Sequence, residues 1–514
     1  MIRPDKLWQL VDARADATPD AFFGLDESGR TRTFRDYRDD SLRLAAGLAA
    51  RGVAADTVVS WILPTGFQAL DLIAALSRLG AVQNPILPIY RRREVEFCLR
   101  QTGARCLIVP KQYRGFDYAA LAHDLAEEIH GLSVLVADPD LPLADPRELS
   151  PAIAYDPAET LRWIYYTSGT TADPKGARHT DATVLQPSYG LAEAMDLRPE
   201  DRIAMVFPVT HLGGANSLIA ALSRGCGHLI IEQFDPPVSI PFLAAHGVTH
   251  AGAGPVFHKA YLEAQRTAGD TSIFPRIRLF QGGGAQKNPQ LHFDLKREIG
   301  GSGLLPVYGM TECPIISLGR LGDADDKLAF TEGRVNLPGT ELRVLRDDGS
   351  LAAPGEDGEI FVRAPQLCRG YIDSSLDAAA FDAEGFFRSG DLGRVDAEGF
   401  VSITGRLKDV IIRKGENISA IEIENLLTLH PAVADVAVIG LPDEERGERC
   451  CAVVVARDPA QPLTFDAMVA FLRDQELMLQ KIPEQLEIVA ELPRNPSGKV
   501  VKPKLRAQFD ETAA

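Results

Sequence analysis

The sequence predicts an α/β protein: a large N-terminal domain of α/β sheets with a small β-rich subdomain, then a small α+β C-terminal domain. Three observations predict it. Strand-like and helix-like segments alternate from Thr57 to about Gly309, the rhythm of βαβ units and a mostly parallel sheet. From about Pro338 the text turns to short strands separated by Gly/Asp turns. After Gly405 a self-contained pattern begins and runs for about 110 residues, a common domain size. The expected boundaries are therefore 1–405, with the β-rich part at about 338–405, and 406–514.

Taken in order, "TVVSWIL" reads as a buried strand and "TGFQALDLIAALSRLG" as a helix, with Thr65 and Gln68 forming a capping box and Gly80 the stop. "AVQNPIL" is the next short apolar segment. The rhythm returns with strands at 227–232, 248–254, 276–281 and 304–309, separated by helices. Three polar or glycine-rich stretches follow strand-like runs directly: "YYTSGTTADPKG" (165–176), "GGGAQ" (282–286) and "YGMTE" (308–312). Ligands of open α/β sheets bind outside the carboxyl ends of strands, so all three are expected on that edge. In the last domain Ser419 and Glu422 form a second capping box and a helix lies near 464–477.

Composition narrows the function. With 54 Lys and Arg against 71 Asp and Glu, the net charge of −17 disfavours a nucleic-acid partner. Seven cysteines at irregular spacing give no disulfide framework, no CxxC pair and no HExxH helix, pointing to a reducing compartment. The N-terminus lacks the apolar core of a signal peptide, and no run reaches the roughly 20 apolar residues of a membrane span. A cytoplasmic protein is expected, and a homo-oligomer is compatible with the sequence.

The stretch 165–176 offers hydroxyls, glycine N–H groups and a lysine, the groups phosphate oxygens require. It is no Walker loop, because Pro174 precedes Lys175 and Gly176 follows it. By composition alone it is as readily a surface turn. Its company decides: "FPVTHLGG" (207–214), "GGGAQ", "VYGMTE", "SGDLGR" (389–394), "GRLKDVIIRKGENISAIEIE" (405–424) and "PRNPSGK" (493–499) follow in order. This series, spanning nearly the whole chain, resembles the AMP-forming adenylating enzymes: acyl-CoA synthetases, peptide-synthetase adenylation domains and firefly luciferase.

The resemblance implies ATP, Mg²⁺ and CoA as reactants and cofactor, and a carboxylic acid as the substrate. It implies that Thr167, Ser168, Gly169, Thr170, Thr171 and Lys175 wrap the β- and γ-phosphates. Tyr308 would lie against adenine beside Gly283, Gly284 and Ala285, where missing side chains admit the base. Thr311 would bond the α-phosphate, Glu312 would hold Mg²⁺, and Asp391 with Arg406 would take the ribose hydroxyls. Lys499 would bridge the carboxylate and the α-phosphate. The resemblance also implies that the C-terminal domain is mobile: Lys408 would be the hinge of a domain rotation that brings Gly415 beside a pantetheine tunnel. His211, Leu212 and Met310 would line the acyl pocket.

Amino-acid-activating relatives carry an aspartate where Leu212 stands, and an ammonium buried beside leucine would lack a partner. An uncharged acyl group is expected. Segment 82–104 resembles ligases for medium-chain and alicyclic acids such as cyclohexanecarboxylate. CoA is preferred as acceptor because no carrier module follows; a free-standing carrier protein and a non-catalytic nucleotide-binding homologue are the alternatives. Ala172, Asp181 and Ala420 depart from the family pattern without removing a charged catalytic group.

Overall fold

The computed structural model describes residues 1–167, 174–284, 287–413, 416–443, 446–495 and 498–510. The larger part holds two mainly parallel sheets. One has nine strands, centred on Leu304–Tyr308, Leu279–Gly283, His250–Ala251, Arg202–Met205, Gly227–Ile230 and Phe22–Asp26, with antiparallel edges. The other has six, ordered Lys175–Thr180, Leu161–Thr167, Val82–Pro85, Val58–Trp61, Cys106–Pro110 and Ser133–Ala137. Only its first pair is antiparallel.

Helices Phe67–Leu79 and Leu212–Arg224 are apolar almost all round, so they belong inside. They share one core with Phe23, Val59, Trp61, Met205 and Ile230, which come from both sheets, so the two sheets enclose the pair. The first helix ends with Gly80 as its C-cap, as the sequence predicts. Its start differs: Gly66 is the N-cap and no capping box forms. Thr65 is buried and accepts from Val209 N at 3.2 Å, while Gln68 bonds Pro139 O at 2.7 Å. A tertiary contact has taken the hydroxyl that a cap would use.

The expectation of one ligand-bearing edge also needs correction. "GGGAQ" and "YGMTE" end adjacent strands of the nine-stranded sheet, whereas Thr167 and Lys175 face each other across a hairpin of the six-stranded sheet. The site therefore lies where two sheets meet.

An antiparallel four-stranded sheet follows (Glu341–Leu345, Gly358–Arg363, Phe387–Val395, Val401–Arg406). The C-terminal sheet is built on Val433–Asp443 and Gly447–Ala456, packed with helices Ala420–Leu427 and Phe465–Asp474. Ser419 caps the first of these by accepting from Glu422 N at 3.4 Å; the Glu422 carboxylate instead pairs with Lys481, so only half the box forms. The two parts touch through Asn288 Nδ2 and Thr428 Oγ1 at 2.8 Å, Lys259 Nζ and Asp435 Oδ1 at 3.3 Å, and Ser419 Oγ and Thr404 O at 2.7 Å. The seven cysteines are buried and unpaired. Among the described residues no helix is long and apolar enough to cross a membrane.

Candidate active site

The centre of the site is a buried carboxylate. Asp391 and Arg406 are cross-strand partners, with Arg406 Nε 2.8 Å from Oδ1. Tyr308, at the end of its strand in the other sheet, donates its hydroxyl to Oδ2 at 2.9 Å. Asp391 is only 2% exposed, a position a carboxylate holds because both oxygens are partnered, one by a guanidinium. Each oxygen keeps a further lone pair, so the group can still accept two hydroxyls. Burial, then the negative charge of Asp391, raises the Tyr308 phenol well above its ordinary pKa and keeps it a donor.

Two links tie the hairpin to the segment after Tyr308. His179 is buried, and its Nε2 lies 2.8 Å from Thr311 O while Nδ1 lies 3.0 Å from Thr183 Oγ1. Burial lowers its pKa to about 4, against the pull of the Thr311 bond, so the ring is neutral. A carbonyl only accepts, hence Nε2 carries the proton. Tyr371 donates to Glu312 Oε1 at 2.6 Å, and Lys175 Nζ lies 5.5 Å from the centroid of the same Tyr371 ring. Among the described residues Glu312 Oε2 has no hydrogen-bond partner, so one oxygen of this largely buried side chain remains for a hard cation.

Gly283 and Gly284 are glycines for different reasons. A Cβ at Gly283 would meet Val307 O at 2.2 Å, so close approach of the neighbouring strand, rather than a ligand, excludes a side chain. Gly284 is exposed, has φ +75°, and faces open space, which leaves its backbone approachable.

His211 caps helix Leu212–Arg224, its Nδ1 accepting from Gly213 N at 3.1 Å, which leaves the proton on Nε2. Burial lowers its pKa to about 4. A cavity beside it is lined by Leu212, Tyr90, Tyr165, Thr210 and Thr311. Met310 does not line this cavity; it packs on the cluster of Tyr308, Cys313 and Ile316.

Lys499, from the C-terminal part, lies within the electrostatic influence of this centre. Its loop is held by Asn495 N donating to Lys499 O at 2.8 Å and by Lys499 N donating to Asn495 Oδ1 at 2.9 Å. Neighbouring Gly498 packs on the N-terminal part: a Cβ there would lie 3.2 Å from Val256 Cγ2. The ammonium is pulled down to about 8, first by burial and then by the positive charge of Arg406, with Asp391 and Asp409 pulling the other way. It thus shares the electrostatic environment of the Asp391–Arg406 pair. Lys408 is exposed in the short turn Leu407–Asp409, between the last strand of the four-stranded sheet and the first of the C-terminal sheet.

The AMP-binding enzyme family model matches residues 11–372, and that of the AMP-binding enzyme C-terminal domain matches residues 422–499. The chain belongs to the AMP-binding enzyme family. Among its relatives, a medium-chain fatty-acid–CoA ligase of Escherichia coli (strain K12) is 30% identical, covering 97% of this chain and 89% of that protein. A salicyl-AMP ligase / salicyl-S-ArCP synthetase of Mycobacterium tuberculosis is 31% identical over 91% of this chain and 83% of its own length. The crystal structure of ATP-bound MatB from Rhodopseudomonas palustris superposes with a TM-score of 0.87 at 27% identity, covering 99% of this chain and 100% of that one. This AMP-binding enzyme is thus an adenylate-forming ligase with the fold of that family.

Of the residues singled out in the sequence, Tyr308, Asp391, Arg406 and Lys499 come together, and Thr311 and Glu312 join them through strand connectivity. Ser168, Gly169, Thr170, Thr171, Ala285 and Gly415 lie outside the described residues. His179 and Tyr371 carry no motif weight of their own. His179 stands four residues after Lys175 in the hairpin, a signal that could have found it; for Tyr371, in "CRGYID", no sequence signal is evident.

Proposed function

We propose that this AMP-binding enzyme is an ATP-dependent acid–thiol ligase that activates an uncharged carboxylic acid as its acyl-adenylate and transfers the acyl group to CoA. A carboxylate is a poor acyl donor because oxide is a poor leaving group. One carboxylate oxygen attacks the α-phosphorus of ATP, the bond to the bridging oxygen of the β-phosphate breaks, and pyrophosphate leaves. A thiol then attacks the acyl carbon and AMP leaves. Both reactants of the first step are anions, so the work of the protein is positioning and charge.

The observation that carries this reading is the Lys499 ammonium, delivered by the C-terminal part into the field of the Asp391–Arg406 pair. On this reading Lys499 offsets the repulsion between carboxylate and α-phosphate. Asp391 and Arg406 hold the ribose, Gly284 and Tyr308 flank the base, and Thr311, fixed through its carbonyl by His179, bonds the α-phosphate. Thr167 and Lys175 flank the leaving pyrophosphate. The free oxygen of Glu312 suits Mg²⁺, which when bound would neutralise phosphate charge.

We further assign the N-terminal domain to 1–405 and the mobile domain to 406–514, with Lys408 as the hinge and Gly415 brought to the thiol entrance. The exposed turn at Lys408, joining two separate sheets, supports this. The acid is assigned to the medium-chain or alicyclic class on the likeness of 82–104 and on Leu212, which cannot pair with an ammonium. The carrier-protein alternative draws on the name of the mycobacterial relative. Pyrophosphate exchange across a panel of carboxylic acids, followed by detection of CoA thioesters, tests both. Exchange with no acid refutes adenylation; exchange with an adenylate that CoA never consumes favours the carrier protein.

A further inference from the structure

Accepting that this chain adenylates a carboxylic acid and rotates its C-terminal part between the two half-reactions, we propose that Lys259, Asp435 and Arg494 are positioning residues for Lys499. They form a chain of charges that runs from the N-terminal part to the loop carrying that lysine. Lys259 Nζ lies 3.3 Å from Asp435 Oδ1 and 3.4 Å from Ala434 O. The other oxygen of Asp435 pairs with the Arg494 guanidinium. Arg494 in turn donates to Gly498 O, the carbonyl of the peptide bond that leads into Lys499.

Local structure on each side makes this chain transmit position. Arg494 and Val500 form an antiparallel bridge, Val501 N donates to Pro493 O at 2.7 Å, and Gly498 N donates to Asn495 O at 2.8 Å. Arg494, Gly498 and Lys499 are thereby tied together, and a shift of the first carries the last. On the N-terminal side, helix Pro255–Ala268 follows strand His250–Ala251 and buries His258, Tyr261, Leu262 and Gln265 against the nine-stranded sheet. Val256 and Lys259, three residues apart, share the opposite face. Val256 is the side chain nearest the Gly498 position. One face of one helix therefore meets the Lys499 loop twice, by packing at Gly498 and by charge through Asp435.

Of the three contacts between the two parts named under the fold, this alone is an ion pair, and this alone leads to Lys499. Its charges are partly solvated: the Lys259 side chain is 43% exposed, that of Asp435 26% and that of Arg494 27%. Such a pair is weak. Weakness suits a contact that must form for adenylation and release for thiol attack, since a tight apolar seam would hold the domain in one place. The pair acts on where Lys499 rests rather than on whether the chain folds.

The test compares the two half-reactions in the full chain, using the panel acid with the fastest pyrophosphate exchange and its synthetic acyl-adenylate. Lys259→Met should lower exchange by about 3-fold and Lys259→Glu by about 10-fold, with Lys259→Arg close to wild type. Attack of CoA on the supplied acyl-adenylate should not fall in any of them, a split that a general loss of structure would not produce. Asp435→Asn should lower exchange by about 10-fold, and adding Lys259→Met to it should lower exchange no further, because the two act as one unit. This coupling and the arginine rescue need no thiol, so they decide the matter even where CoA is not the acceptor. Exchange within 2-fold of wild type in Lys259→Glu, equal loss of both half-reactions, or additive losses in the double variant would overturn the proposal. Exchange retained in Lys499→Ala, or absent with every acid, would instead refute the adenylation reading itself.

Discussion

Raising the pH should switch off adenylation far sooner than the ordinary chemistry of a lysine allows. Lys499 acts as a cation, so only its protonated form is active, and its pKa is lowered from 10.5 to about 8. The pH profile of kcat/KM reports the free enzyme. At pH 9.5 a group of pKa about 8 is only about 3% protonated, against about 90% for an unshifted lysine, so exchange should fall about 30-fold from its plateau. The sign for stability is opposite. The folded pKa lies below the unfolded value, so the buried charge is a cost at neutral pH, lost as pH rises from about 8 to 10.5. The difference, 10.5 − 8 = 2.5, corresponds to at most about 3 kcal/mol. Lys499→Met should therefore not lower Tm. The assay is pyrophosphate exchange between pH 6 and 10, with Lys499→Arg as the control that cannot deprotonate. A wild-type profile flat to pH 9.5, or the same break in an active Lys499→Arg variant, would refute the reasoning.

Asp391 is one of the charges that hold the Lys499 pKa up, so Asp391→Asn should move the alkaline break to lower pH as well as raise the KM for ATP; an unmoved break counts against their coupling. Tyr371→Phe removes the hydrogen bond to Glu312 Oε1, a bond to a charged group, and should change the Mg²⁺ concentration for half-maximal exchange by about 10-fold. No change at any Mg²⁺ concentration argues against Glu312 as a ligand. Lys408→Pro fixes φ at the turn and should spare exchange while slowing thioester formation by about 10-fold or more; unaltered turnover excludes the hinge.

The fold was legible wherever one face or one core dictates the periodicity. The strands Val58–Trp61, Gly227–Ile230 and Leu304–Tyr308 and the enclosed helix Phe67–Leu79 stand where apolar runs and stops put them. What escaped depended on contacts distant in sequence. The Thr65 cap was lost because the Val209 N–H, 144 residues away, claims the hydroxyl. Gly283 looked like an opening for a base, yet it is small because Val307 O passes beside it. The Asp391, Arg406 and Lys499 motifs were readable as motifs, but their convergence required the pairing of two strands and the docking of a third element. His179 and Tyr371 act through one hydrogen bond each across sheet boundaries, and periodicity carries no trace of such bonds.

Splitting the two half-reactions in Lys499→Ala tests the central claim most directly. If this lysine offsets the repulsion of carboxylate and phosphate, removing it forfeits a transition-state charge contact, about 10²–10³-fold in rate for a single donor of this kind. The account predicts that acid-dependent pyrophosphate exchange falls by at least that factor while attack of CoA on supplied acyl-adenylate stays within a few-fold of wild type. Equal loss in both half-reactions, or exchange retained within about 10-fold, would contradict it.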